Sequence, residues 1–247
     1  MIHTTLAFHA EKLHQRQVWQ KVRIAARWLA LNGIRATFFV YPFPAIVYGE
    51  DISARVKLLA SLGHEIAQHT HFYAGRNIDS TNKVDDLSRE NIVHCLRRDF
   101  QALSAMGQAP RGFTAGAWFV SEPVLEELVN LRFDYECSAQ FPKPNLHAPD
   151  PRAQWLRLPQ TYQGELGQLL RLPTTCSLGE WFKWGRRTTN AKIHYHQIVY
   201  LHDFDLLRLR DFLMLFCFVR IIHRESLEPT AHAAENYYRM EGLSICP

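Results

Sequence analysis

Short runs of β-forming residues alternate with longer segments of helical spacing along almost the whole chain, and this alternation narrows the possible folds more than any other feature. Thr4-Thr5-Leu6-Ala7-Phe8 reads as a strand. Residues 17–31 follow, with Val18, Val22, Ala25, Trp28 and Leu29 at helical intervals as far as the stop at Asn32-Gly33. Ala36–Tyr41 is a strand ended by Pro42, residues 56–62 a helix stopped by Gly63, and His64–His69 the next strand. The same rhythm continues with a helix at 87–103, a strand at 112–116, a helix at 122–131 with Ser121 as its expected N-cap, and a strand at 135–139. Residues 141–190 are irregular and rich in Pro, Gly and Gln, with short strands expected at 155–158 and 169–172. A strand at 198–201 and an apolar helix at 206–222 complete the order. Such alternation calls for a parallel sheet with helical crossovers. About seven parallel strands in 247 residues predict an α/β fold, a distorted barrel forming one domain over 1–247. Residues 141–190 are its irregular closing region and 224–247 a C-terminal tail.

Composition removes several classes of function. The chain is 47% hydrophobic, enough for a core that needs no covalent staples. Its net charge of +4 comes without a basic tail or Arg-rich stripe, so no nucleic-acid partner is expected. The most apolar run, Phe212–Ile222, is too short to span a bilayer and carries Arg220, so no membrane span is expected. Cys95, Cys137, Cys176, Cys217 and Cys246 are odd in number and form no C-x-x-C pair. With no secretory pattern at Met1–Thr5, they read as reduced thiols of a cytoplasmic protein. Ser121, Cys137 and Cys176 have no base at readable spacing, which argues against a Ser or Cys nucleophile.

Parallel α/β folds bind ligands at the C-terminal ends of their strands. Three groups of candidate ligands fall there: His9 with Glu11, His69 with His71, and His202 with Asp203 and Asp205. Residues i and i+2 of a strand share a side, so the members of each close pair can point together. Imidazole and carboxylate suit a divalent ion such as Zn²⁺, and an open coordination position on it would activate water. His3, His14, His94, His147 and His223 lie elsewhere and read as surface or hydrogen-bonded core. Trp118 and Tyr73 offer aromatic faces suited to a sugar ring.

These segments resemble the polysaccharide deacetylases of the NodB-homology class (carbohydrate esterase family 4). Ala36-Thr37-Phe38-Phe39-Val40 is similar to that family's second strand. Gly63-His64-Glu65-Ile66-Ala67-Gln68-His69-Thr70 resembles its G-H-E-I-x-x-H-T block, whose last His is a metal ligand. Arg111–Gly116 falls where the family carries an Arg-containing groove motif, and Leu201-His202 with Asp205-Leu206 resembles its closing L-H motif. The resemblance covers roughly residues 4–206. It implies a NodB-like barrel, a divalent metal (Zn²⁺ by expectation), an N-acetylated sugar or oligosaccharide as partner, and hydrolysis to acetate and a free amine. It further implies His202 as general acid, Leu201 as lining of an acetyl pocket and Arg111 as a residue orienting a carboxylate at the site.

The chain departs from the family pattern twice. The opening T-F-D-D-G is here Ala7-Phe8-His9-Ala10-Glu11, and the position four residues after His69, where the family has its second His ligand, is Tyr73. Two readings follow. In one, the centre is rebuilt from Glu11, His69 and His71, with His9 as base, His202 as acid, and Trp118, Leu201 and Tyr73 toward substrate. In the other, the chemistry is gone and the fold serves as a non-catalytic carbohydrate-binding protein. An amidase acting on a nucleobase-derived substrate is a third expectation.

Overall fold

A computed structural model describes residues 3–74, 85–142, 154–185, 196–222, 229–231, 234–235 and 237. Four parallel strands form its centre: β1 (His3–Ala10), β2 (Thr37–Val40), β3 (Glu65–Thr70) and β4 (Gly112–Ala115). Beyond β4 come β5 (Tyr135–Glu136) and the antiparallel hairpin of β6 (Gln160–Gly164) and β7 (Gly167–Arg171). On the other side β1 pairs with β9 (His196–His202), which pairs with β8 (Cys176–Ser177). The order is β6-β7-β5-β4-β3-β2-β1-β9-β8, and the sheet curls into a half-barrel. The helices are α1 (Arg16–Leu31), α2 (Phe43–Tyr48), α3 (Ser53–Ser61), α4 (Arg89–Ala105), α5 (Glu122–Asn130), α6 (Leu178–Glu180) and α7 (Leu209–Ile221).

Strand alternation divides the core into layers. Leu6, Phe8 and Ala10 of β1 face Val18, Val22 and Leu29 of α1 and Leu215 and Phe218 of α7. Phe8 stacks on Phe38 at 4.5 Å, and a fully buried ring of this kind contributes about 1.5–3 kcal/mol. Ala7 faces the other way, with Phe39, Ala67, Tyr135, Leu170 and Ile198 inside the curl. The G-H-E segment is structural. Gly63 ends the α3 turn at φ +82, where a Cβ would meet Arg35 Nε at 2.4 Å. His64 Nδ1 accepts from the Ala36 N–H at 3.1 Å, and Nε2 donates to the Ala26 carbonyl at 3.0 Å, tying β2 to α1.

The structure differs from the sequence reading in several places. Residues 155–158 form no strand; Trp155 makes only an isolated bridge to Gln140. The strand lies at β6, whose Gln, Thr and Gly residues are largely exposed and so carry no apolar signature. An antiparallel edge can leave a face in water. The α2 helix was not expected after Pro42, but Pro44 sits in its first turn, where the missing N–H costs nothing. Ser121 occupies the N-cap position of α5, yet its buried hydroxyl has no hydrogen-bond partner among the described residues, and Ser88 does cap α4. Part of the expected tail docks on the base of the sheet: Thr230 is buried against Thr37, and Ala234 joins the inner layer. No helix among the described residues is long and apolar enough to cross a membrane.

Candidate metal centre

Alternation carries the inner side of β1 from Ala7 to His9, of β3 from Ala67 to His69, and of β9 from Ile198 through Tyr200 to His202. Parallel register sets His9 level with His202 on one side and Phe39 on the other. Three imidazoles thereby reach one rim of the curled sheet. Glu11, two residues beyond His9, brings a carboxylate among them. Its Oε1 lies 3.4 Å from His69 Nε2 and 3.6 Å from His71 Nε2, and the two Nε2 atoms are 3.2 Å apart.

These separations decide whether the residues fit an ion. A point equidistant from three atoms so spaced lies about 2.0 Å from each, the length of Zn–N and Zn–O bonds. Among the described residues no further His, Cys, Asp or Glu joins the trio; an ion held by these three alone would keep a position for water, as catalytic zinc sites do. His69 Nδ1 lies 2.9 Å from the Thr114 carbonyl, which can only accept, so Nδ1 carries a proton and Nε2 is the atom turned to the trio, where it donates to Glu11 or, once that proton is lost, could ligate an ion. Burial would raise the Glu11 carboxyl, but hydrogen bonds and charge from His69 and His71 outweigh it and hold Glu11 far below the usual carboxylate range.

Around this trio stand two histidines shifted in opposite directions. His9 is buried, its ring 5.1 Å from His69, 5.3 Å from His202 and stacked on Tyr200 at 5.0 Å. Burial first, then the neighbouring imidazoles, hold its pKa well below the ordinary value, so the ring is neutral at pH 7. His202 is also desolvated, which alone would lower it. Its bond with Asp205 and the charges of Glu11, Asp205 and Asp203 outweigh burial and raise it. His202 Nδ1 faces Asp205 Oδ2 at 3.5 Å, leaving Nε2 toward Glu11 Oε1 at 3.7 Å. Asp203 is buried beside it and accepts from the Lys12 N–H at 2.7 Å, fixing the residue after Glu11; burial pushes its carboxyl up to about 7.

Trp118 lies against His9 at 5.2 Å and Tyr200 at 4.9 Å. It reaches them through two consecutive left-handed residues, Ala117 at φ 53 and Trp118 at φ 58, a conformation costing non-glycine residues about 1–3 kcal/mol each. Tyr73 stands at the same rim, with one ring face stacked on His71. The sequence reading missed Tyr200, legible as i−2 of His202. It also missed Tyr41, whose buried hydroxyl has no hydrogen-bond partner among the described residues and whose ring lies 5.0 Å from His71.

Two expected site residues are placed elsewhere. Arg111 precedes the first residue of β4, at the opposite end of the strand from the rim. There it pairs with Asp134 and with Glu235 at 3.1 Å. Leu201 is buried in the outer layer with Phe8 and Val199, because the alternation that turns His202 inward turns Leu201 toward the helices.

No protein-family model matches the sequence, and no curated protein matches it by sequence. Solved structures do match. A Mycobacterium smegmatis protein assigned as a polysaccharide deacetylase aligns over 100% of this chain and 93% of its own, at TM-score 0.70 and 16% identity. The chain has the polysaccharide-deacetylase fold. A CE4 family pseudoenzyme from Bacillus anthracis aligns over 94% of this chain and 65% of its own, at TM-score 0.55 and 12% identity. The chitin deacetylase of the fungal pathogen Colletotrichum lindemuthianum aligns over 100% and 92%, at TM-score 0.52 and 13% identity.

Proposed function

We propose that this chain is a divergent, metal-dependent, deacetylase-like hydrolase that removes acetyl from an N-acetylated sugar or a related amide. The observation that carries the reading is the Glu11–His69–His71 triangle, sized for a cation and with no fourth His, Cys, Asp or Glu in the group among the described residues. Glu11, His69 and His71 would hold the ion, and one carboxylate with two imidazoles suits Zn²⁺. When bound, the ion supplies Lewis acidity and lowers the pKa of water.

The chain's own residues supply the proton transfers. Neutral His9 takes a proton from water as its oxygen bonds to the acyl carbon. His202, whose protonated form Asp205 favours, gives its Nε2 proton to the departing nitrogen as the C–N bond breaks and its electron pair leaves with the amine. Acetate and the free amine result, and solvent returns the proton from His9 to His202. Trp118, whose ring lies 5.2 Å from His9, would flank a sugar ring. Arg111 and Leu201 have no part in this scheme.

One observation favours the alternative of a carbohydrate-binding protein without catalysis. Ala10, at the position of the second Asp in T-F-D-D-G, is buried in the outer layer and offers no ligand. A pseudoenzyme shares the fold. Metal analysis of the purified protein together with acetate release from N-acetylglucosamine oligomers separates the two. The hydrolase predicts about one Zn²⁺ per chain, lost in His69→Ala together with acetate release. No bound metal at micromolar supply and no acetate overturn it.

A further inference from the structure

We infer that Tyr73 and Gly116 are positioning residues that make His71 the third ligand, an inference that rests on the metal-centre reading above. His71 precedes by two residues the position where the family pattern has its ligand, so something other than that pattern must aim its ring. The structure supplies two restraints from different strand ends. The Tyr73 hydroxyl lies 2.7 Å from His71 Nδ1, and the two rings stack at 4.9 Å and 19°. Gly116 limits the ring as well: a Cβ there would lie 2.2 Å from His71 Nδ1 and 2.3 Å from Cε1 and Cγ.

The phenol does more than pack. A histidine that gives its Nε2 lone pair to a cation must carry its proton on Nδ1, and that proton needs an acceptor. The Tyr73 oxygen is placed to be one. A phenol can also donate, so the same contact serves His71 when Nε2 carries the proton and faces Glu11. Phenylalanine would keep the stacked ring and serve neither state. Gly116 is required for a different reason. Its φ lies outside the left-handed region, so alanine suits the backbone, and the steric conflict found there is with the His71 imidazole.

The experiment measures Zn²⁺ affinity by competition with a chromophoric chelator, the Co²⁺ d–d absorption, and the metal-free thermal midpoint. It compares the parent chain, His71→Ala, Tyr73→Phe and Gly116→Ala. Tyr73→Phe is expected to weaken Zn²⁺ about ten- to a hundredfold, the usual effect of removing an outer partner of a ligand histidine. Its Co²⁺ spectrum should shift while its metal-free midpoint stays at the parent value. Gly116→Ala should lose affinity to the level of His71→Ala. Parent-like affinity in Tyr73→Phe or Gly116→Ala, with His71→Ala impaired, overturns the positioning roles and leaves the centre standing. A midpoint that falls with affinity in Tyr73→Phe makes that residue structural and also overturns its role. Parent and His71→Ala equally weak overturn the inference and the metal reading together.

Discussion

The two ends of the central strands hold similar residue types put to opposite uses. At the N-terminal base, Glu65 accepts from the Tyr135 hydroxyl, the Thr37 hydroxyl at 2.8 Å and the Ala231 N–H at 3.1 Å, while Arg111 is paired with Asp134 and Glu235. Donors there meet acceptors, and burial raises the Glu65 carboxyl despite those bonds. At the C-terminal rim, Glu11 faces the Nε2 atoms of His69, His71 and His202, and its carboxyl is driven down. The base is an arrangement complete in itself. The rim gathers a carboxylate and imidazole nitrogens around one point, groups that could turn from one another to a ligand. A polar cluster in this fold is therefore read by what its groups still lack, not by how many charges it holds.

The same substitution at the two ends tests this contrast most severely. Glu11→Gln removes the anionic ligand with little change of shape. Its Zn²⁺ affinity should fall by more than the ten- to hundredfold typical of outer-partner changes, with acetate release lost in parallel. Titration against a chelator checks it, and retained affinity would remove Glu11 from the centre. The next effect is smaller and purely chemical. His202→Ala should leave Zn²⁺ binding within a few-fold of the parent but lower kcat about 10²–10⁴-fold, the usual contribution of a positioned acid. A comparable loss of metal would instead place His202 among the ligands.

How much of this arrangement was legible beforehand depended on whether one strand or several set it. Alternation within a strand was readable: Ala7 and His9 share a side, as do Ala67 and His69. The same rule, applied to β9, separates Leu201 from His202, so the acetyl-pocket role implied for Leu201 conflicted with a pattern already visible. Arg111 failed likewise, because a residue preceding a strand belongs at the base. Contacts fixed by register were beyond reach. The Thr114 carbonyl that sets the His69 tautomer, and Gly116 against His71, depend on how β3 and β4 align. The polar β6 strand was missed because its register comes from hairpin pairing with β7 rather than from a buried face.

Asp203 sharpens the comparison because it sits near the rim yet does structural work like the base. Its folded carboxyl titrates at about 7, well above the ordinary value of 3.8. The folded state thus holds a proton that the unfolded state releases, and this stabilisation is full below about pH 4 and lost as pH rises through about 7. A shift of this size is worth on the order of 4 kcal/mol. His9 acts in the opposite sense: its depressed pKa makes the fold lose stability as pH drops below about 6.5. Asp203→Asn should remove the Asp203 contribution, so between about pH 4 and 7 stability falls less, or rises more, with pH than in the parent. The amide can still accept from one of the Lys12 and Phe204 N–H groups but not both, lowering stability by about 1–3 kcal/mol at every pH. Urea unfolding at several pH values checks it, and an unchanged slope would show that Asp203 ionises freely in the fold.

The smallest effect is expected from Glu65→Gln, the counterpart of Glu11→Gln at the base. The amide oxygen can keep the Tyr135 bond, but the NH₂ group then meets the Ala231 N–H, donor against donor. Thr37 can reorient and accept; Ala231 cannot. One unpaired buried donor costs about 1–3 kcal/mol, and each kcal/mol lowers the midpoint of a chain this size by about 2–4 °C. The variant should therefore melt several degrees lower while binding Zn²⁺ as the parent does, since no base residue touches the trio. Differential scanning calorimetry and the chelator titration read the two quantities separately. If Glu65→Gln weakened metal binding without lowering the midpoint, the ends of the strands would be coupled through the sheet. The base could then no longer be treated as a closed arrangement independent of the rim.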